Sequence, residues 1–297
     1  MYTILGSGFG LYGYLPALVN RLGQEVILPR NYEEKINARP ELACTLDKIH
    51  WVKNTDEALS LAEAVIIAMP PTSQPSLVNH CLTFPNIKRF VLEKPLATSP
   101  RLASDLLNQL DAAKKLYVVG YTFMNLSWQD QLLWPSSASS TITITWDFMA
   151  HHFAKNLHNW KRFHAQGGGI LRFYGIQIIA MLALRGYKEI RNSVLTGSST
   201  REPELWHATF TGSNLPVCNL AINSRSNNDH FSIIDANGTY LLSILEPFAH
   251  ENKTDDLDRR VSVLAAILNQ LEIRDSSRNY VDIVKQINDL WAQAEAL

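Results

Sequence analysis

The first ~120 residues alternate short apolar runs with stretches of helical period, the pattern of a parallel sheet covered by helices. The runs fall at 2–5, 25–28, 64–69, 89–92 and 116–121. Ala64-Val65-Ile66-Ile67-Ala68 is apolar throughout, which predicts a strand buried on both faces. Residues 56–61 and 99–114 read as helices, the second opened by Ser99 as N-cap and Pro100 at the first helical position. After Tyr121 the period changes, and Thr141 to Phe148 alternates strictly, as a strand with one buried face does. Further strands are expected at 192–198, 205–211, 217–223, 231–235 and 239–244, with Ala236-Asn237-Gly238 as the turn of a hairpin. Two helices are expected to close the chain, at 255–271 and 280–296. The expected architecture is a Rossmann-type doubly wound parallel sheet over residues 1–122, then an α+β domain on a mostly antiparallel sheet over 123–297.

Composition narrows the function. With 297 residues and 46% hydrophobic content the chain can bury two cores, while a net charge of -1 provides no basic field for nucleic acid or an anionic membrane surface. No stretch approaches the ~18 apolar residues of a membrane span, and no basic segment precedes an apolar core at the N-terminus, so a cytoplasmic protein is expected. Cys44, Cys81 and Cys218 form no C-x-x-C pair, which argues against a disulfide framework or a zinc site. His151-His152 are expected at a strand end on opposite faces, and His158 and His164 in a loop; none has metal-ligand spacing.

Chemistry concentrates at three places. The first strand runs into Gly6-Ser7-Gly8-Phe9-Gly10, where a phosphate-cradling loop must begin so that backbone N–H groups at the next helix N-terminus face a pyrophosphate. A second register, Gly8-x-Gly10-x-x-Gly13, also resembles the fingerprint but starts away from the strand end. The second strand ends in Pro29-Arg30-Asn31 instead of the acid that binds a ribose 2′-hydroxyl, and a guanidinium there suits a 2′-phosphate. NADP is therefore expected over NAD. The fourth predicted strand delivers Glu93-Lys94-Pro95 to the carboxyl edge of the sheet, where ligands bind in open α/β folds. An ammonium there would stabilise a developing alkoxide and donate a proton.

The order of dinucleotide loop, Glu93-Lys94-Pro95, and Gly167-Gly168-Gly169 leading into a helix resembles the glucose-fructose oxidoreductase/inositol dehydrogenase (Gfo/Idh/MocA) family over nearly the whole chain. The resemblance implies that Lys94 hydrogen-bonds the reacting hydroxyl or carbonyl from a cis-proline turn. It also implies that Met69-Pro70-Pro71-Thr72 lies against the nicotinamide ribose, with Gln74 where many members have histidine. Trp160, Arg162 and the glycines match the approach to the family's active-site helix. There the pattern breaks: the usual Asp and His, four residues apart, are Phe173 and Gln177, and a third acidic position is Ala180. Neither Phe173 nor Gln177 exchanges a proton near neutral pH. Tyr174 is one alternative acid, provided that Lys94 lies close enough to lower its pKa, with Gln177 then orienting substrate; Lys94 alone with water is the other. The expected function is hydride transfer to or from a sugar, polyol, nucleotide sugar or related small molecule by a homodimer or homotetramer formed through the C-terminal sheet. The rival is a catalytically degenerate member that binds dinucleotide as a sensor or scaffold.

Overall fold

The computed structural model describes residues 1–135, 140–251, 256–273 and 278–296, and the chain divides into two compact units. The first comprises Met1–Ala97, Asp105–Asn125 and Glu251–Ser277, the second Thr98–Ser104, Leu126–His250 and Arg278–Leu297. Residues 251–277, expected in the second domain, thus group with the first.

Six strands, β1 (Tyr2–Leu5), β2 (Val26–Pro29), β3 (Ile49–Val52), β4 (Ala64–Ile67), β5 (Arg89–Leu92) and β6 (Leu116–Val119), form a parallel sheet in the order β3-β2-β1-β4-β5-β6. This is the Rossmann order, with its switch point between β1 and β4. β3 has no counterpart among the expected strands: Ile49-His50-Trp51-Val52 is an edge strand with exposed His50, so it lacks the continuous apolar run of its neighbours. Helices α1 (Glu33–Asn37), α2 (Thr55–Leu61), α3 (Gln74–Leu82) and α4 (Pro100–Ala112) lie in the connections. The Asn54 side chain caps α2 by accepting from the Glu57 N–H at 2.9 Å.

The second sheet contains β7 (Thr141–Met149), β8 (Glu189–Thr196), β9 (Leu205–Thr211), β10 (Val217–Asn223), β11 (Arg225–Asp235) and β12 (Tyr240–Ile244), ordered β12-β11-β7-β10-β9-β8. It is mostly antiparallel, although β7 and β10 run parallel. The β11–β12 hairpin turns at Gly238, where the Asp235 carboxylate accepts from the Asn237 and Thr239 N–H groups at 2.8 and 2.9 Å. Ile142, Ile144, Trp206, Phe210, Leu220 and Phe231 fill the covered face. A short helix α5 (His151–Ala154) follows β7, and α6 (Ile176–Leu184) packs against α8 (Arg278–Ala296), which also touches β8. The expected helix at 255–271 is α7 (Val261–Ile273), packed on β6 and on the turns after β1; Asp255 lies outside the described residues. Among the described residues no helix is long and apolar enough to cross a membrane.

Candidate functional site

In the first unit the expected residues converge on the carboxyl edge of adjacent strands. Gly6 follows β1 with φ +123°, and a Cβ there would stand 2.3 Å from the Ala68 carbonyl oxygen, so the turn admits only glycine. At Gly8 an added Cβ would meet nothing within 4 Å: the backbone is open to an approaching pyrophosphate. A Cβ on Gly10 would come within 2.7 Å of Ile4, so Gly10 performs the helix–strand packing that the standard motif assigns one position later. The helix begins here as a wide π turn over Gly10–Tyr14, and the Leu11 and Tyr12 N–H groups donate to the Gly8 carbonyl at 3.0 and 3.3 Å. Gly13 of the alternative register accommodates the Phe9 ring, which a Cβ would meet at 2.5 Å.

Arg30 follows β2, but its guanidinium is largely exposed and lies 3.5 Å from Glu33. Two neighbours unremarked in the sequence reach the glycine loop directly. The Tyr32 hydroxyl accepts from the Gly6 N–H at 3.0 Å, and burial raises its pKa. Lys35, exposed on α1, donates from Nζ to Ser7 Oγ at 2.6 Å. Local spacing contains no signal for either, because a 3₁₀ turn at Arg30–Tyr32 intervenes between β2 and α1.

Met69 and Pro70 follow β4, and Glu93 and Lys94 follow β5 on the next strand of the sheet. The Lys94–Pro95 peptide is cis. Gln74 holds this turn from beneath: fully buried at the start of α3, its Nε2 donates to the carbonyls of Glu93 at 3.0 Å and Pro95 at 2.8 Å. The Glu93 carboxylate accepts from the Tyr14 hydroxyl at 2.5 Å, in space left by Gly120, whose Cβ would lie 2.6 Å from Glu93 Oε1. Burial raises the Glu93 pKa, opposed by the Tyr14 hydrogen bond and by the charges of Lys94 and Arg260. Arg260, gripped by Asp258 at 2.8 and 2.7 Å, stacks 4.3 Å over the Phe9 ring of the glycine loop. The open backbone at Gly8 and the cations around the loop fit a dinucleotide.

In the second unit the triple glycine is a structural requirement. Gly167 and Gly169 have φ of +87° and +78°, and a Cβ on Gly168 would be 2.1 Å from the Trp160 carbonyl oxygen. The helix they open is not the regular α-helix expected: Ile170–Gly175 is a π turn, continued by α6. Phe173 and Tyr174 remain partly accessible while Gln177 is buried on α6. Burial, not spacing, sets the two apart: Gln177 is covered while Phe173 keeps an accessible edge.

Tyr174 lies in an aromatic cluster, with ring centroids 4.7 Å from Phe148, 4.8 Å from Phe173, 5.9 Å from Trp146 and 6.1 Å from His152. Trp160 meets Phe173 edge-on at 5.3 Å. Burial alone raises the Tyr174 pKa, the opposite of the lowering that an acid at neutral pH requires. Arg162 is committed to Glu202 at 2.6 Å. His152 is not on a strand with His151, as expected, but in α5: β7 stops at Met149 and the chain enters a helical turn. His152 is buried, and desolvation followed by the Arg162 and Lys161 charges lowers its pKa to about 4.

Comparison with known proteins agrees with this geometry. Residues 2–121 match a family model described as an oxidoreductase family with an NAD-binding Rossmann fold, Gfo/Idh/MocA. No curated protein matches the chain by sequence. Among solved structures, an oxidoreductase from Thermotoga maritima superposes with TM-score 0.70 at 17% identity, covering 99% of this chain and 94% of that one. The WlbA dehydrogenase from Chromobacterium violaceum, solved with NADH and UDP-GlcNAcA, gives TM-score 0.70 at 11% identity, covering 99% and 93%. KijD10, a 3-ketoreductase from Actinomadura kijaniata solved with NADP and TDP-benzene, gives 0.68 at 13%, covering 99% and 96%. These likenesses establish a shared fold, and over residues 2–121 the chain is similar to the Gfo/Idh/MocA oxidoreductase family model, an NAD-binding Rossmann fold.

Proposed function

We propose that the protein is an NADP(H)-dependent oxidoreductase that interconverts a carbonyl and a CH–OH group on a sugar, polyol or nucleotide-linked sugar. The observation that carries this reading is Lys94 on its turn at the end of β5, braced by the two Gln74 hydrogen bonds, on the strand edge that also carries the open glycine loop. The neighbours solved with UDP-GlcNAcA and TDP-benzene support the substrate class. Gly6, Ser7, Gly8, Phe9 and Gly10 would hold the pyrophosphate, Arg30 the 2′-phosphate, and Met69, Pro70 and Glu93 the nicotinamide half. When bound, the cofactor supplies or accepts the hydride.

In the reducing direction the Lys94 ammonium polarises the substrate carbonyl and delivers a proton to the oxygen as its carbon is reduced; solvent reprotonates the amine. The reverse reaction returns both. In the second unit Tyr174 acts as a neutral hydrogen-bond donor to substrate, since a phenol with a raised pKa holds its proton. Trp160 and the Phe173 ring provide apolar contact, while Arg162 and Gln177 support that surface. The exposed face of the second sheet, carrying Val194, His207 and Tyr240, supports pairing of two or more copies.

The test is NADPH consumption against a panel of sugar and nucleotide-sugar ketones, with Lys94→Ala alongside. Loss of a positioned acid costs about 10² to 10⁴ in rate. An unchanged rate in Lys94→Ala would remove Lys94 from the chemistry. A sensor is favoured by one specific observation, the replacement of the acid–base pair by Phe173 and Gln177 within an aromatic cluster. Cofactor binding without turnover on any ketone would support it.

A further inference from the structure

We infer that Lys35 is the principal reader of the cofactor's 2′-phosphate, a role the sequence pattern assigns to Arg30; the inference rests on the NADP reading above. In a dinucleotide-binding sheet the adenosine ribose lies between the glycine loop and the end of the second strand. Lys35 spans these two places, because it rises from α1 just beyond β2 and its Nζ reaches Ser7 Oγ at 2.6 Å. Ser7 is the residue between the loop's first two glycines, so the ammonium is already at the ribose end of the site. A neutral hydroxyl does not cancel the charge of an ammonium, which leaves Lys35 a strong partner for a dianion. Arg30, in contrast, has its guanidinium two-thirds exposed (66%) and beside the Glu33 carboxylate at 3.5 Å, which weakens its attraction for an anion.

NADPH and NADH affinities are measured by calorimetric titration for the wild type, Lys35→Ala, Lys35→Arg and Arg30→Ala, with melting curves confirming the fold. The contact of one charged group with a phosphate predicts that Lys35→Ala weakens NADPH by about 10- to 100-fold and leaves NADH within ~3-fold. Lys35→Arg should retain most of the preference, and Arg30→Ala should lose less of it than Lys35→Ala. If the wild type prefers NADPH and Lys35→Ala keeps that ratio, or loses both cofactors equally, Lys35 is a tether and the inference falls while the NADP assignment stands. If the wild type binds both cofactors equally, the NADP assignment itself fails.

Discussion

Two glycines two residues apart should fail in opposite ways when given a methyl group. At Gly6 the backbone has φ +123° and the added Cβ would sit 2.3 Å from Ala68 O and 2.9 Å from Ala68 C. Neither atom can retreat readily, because the Ala68 N–H donates to Leu5 O at 2.8 Å and ties the end of β4 to β1. Backbone strain of about 1–3 kcal/mol and overpacking of about 1–3 kcal/mol therefore add. A loss of about 3 kcal/mol lowers the melting temperature by roughly 6–12 °C for a unit of this size. At Gly8 nothing stands within 4 Å of the added methyl, so Gly8→Ala should melt within about 2 °C of the wild type. Its methyl instead occupies the space over the backbone that a pyrophosphate must approach, and NADPH affinity should drop by at least about tenfold. Scanning calorimetry and cofactor titration on both variants check the pair. Gly6→Ala melting like the wild type, or Gly8→Ala binding NADPH undiminished, would refute this account of the loop.

Three further outcomes follow from the site. Gln74→Leu removes the donors to the Glu93 and Pro95 carbonyls and should cost about 2–4 kcal/mol in urea unfolding, with turnover falling more than cofactor affinity; no change in stability would discard its bracing role. Tyr174→Phe should lower kcat/KM by about 2- to 12-fold if the phenol is only a neutral donor, whereas a loss of 100-fold or more would make it the acid despite its raised pKa. His152, with a folded pKa of about 4, stays neutral while its unfolded counterpart gains a proton below about 6.5. Its contribution is therefore fully present above pH 6.5 and lost progressively as pH falls toward 4. Between pH 7 and 5 this amounts to about 2 kcal/mol, which His152→Phe should remove from the pH dependence of urea unfolding.

What sequence alone determined was set by local periodicity and by the chemistry of short contiguous runs. Near-continuous apolar stretches revealed β1, β4, β5 and β6 because burial on both faces of a parallel sheet leaves few polar positions, such as Thr3 and Arg89, and strict alternation revealed β7. The glycine loop and Glu93-Lys94-Pro95 were legible for the same reason: each motif is a run of adjacent residues at the end of such a strand. Tertiary structure decided everything that depends on residues meeting from separate segments. Gln74 and the Lys94 turn are about twenty positions apart, Lys35 and Ser7 nearly thirty, and no spacing rule connects them; strand adjacency does. The π turns at Gly10–Tyr14 and Ile170–Gly175 left no periodic trace, and packing decided that Gly10 meets Ile4 and that Gln177 is covered while Phe173 and Tyr174 stay partly accessible. His152 became a buried neutral imidazole only because β7 ends in a helical turn beneath an aromatic cluster, an outcome of packing that a pair of consecutive histidines cannot announce.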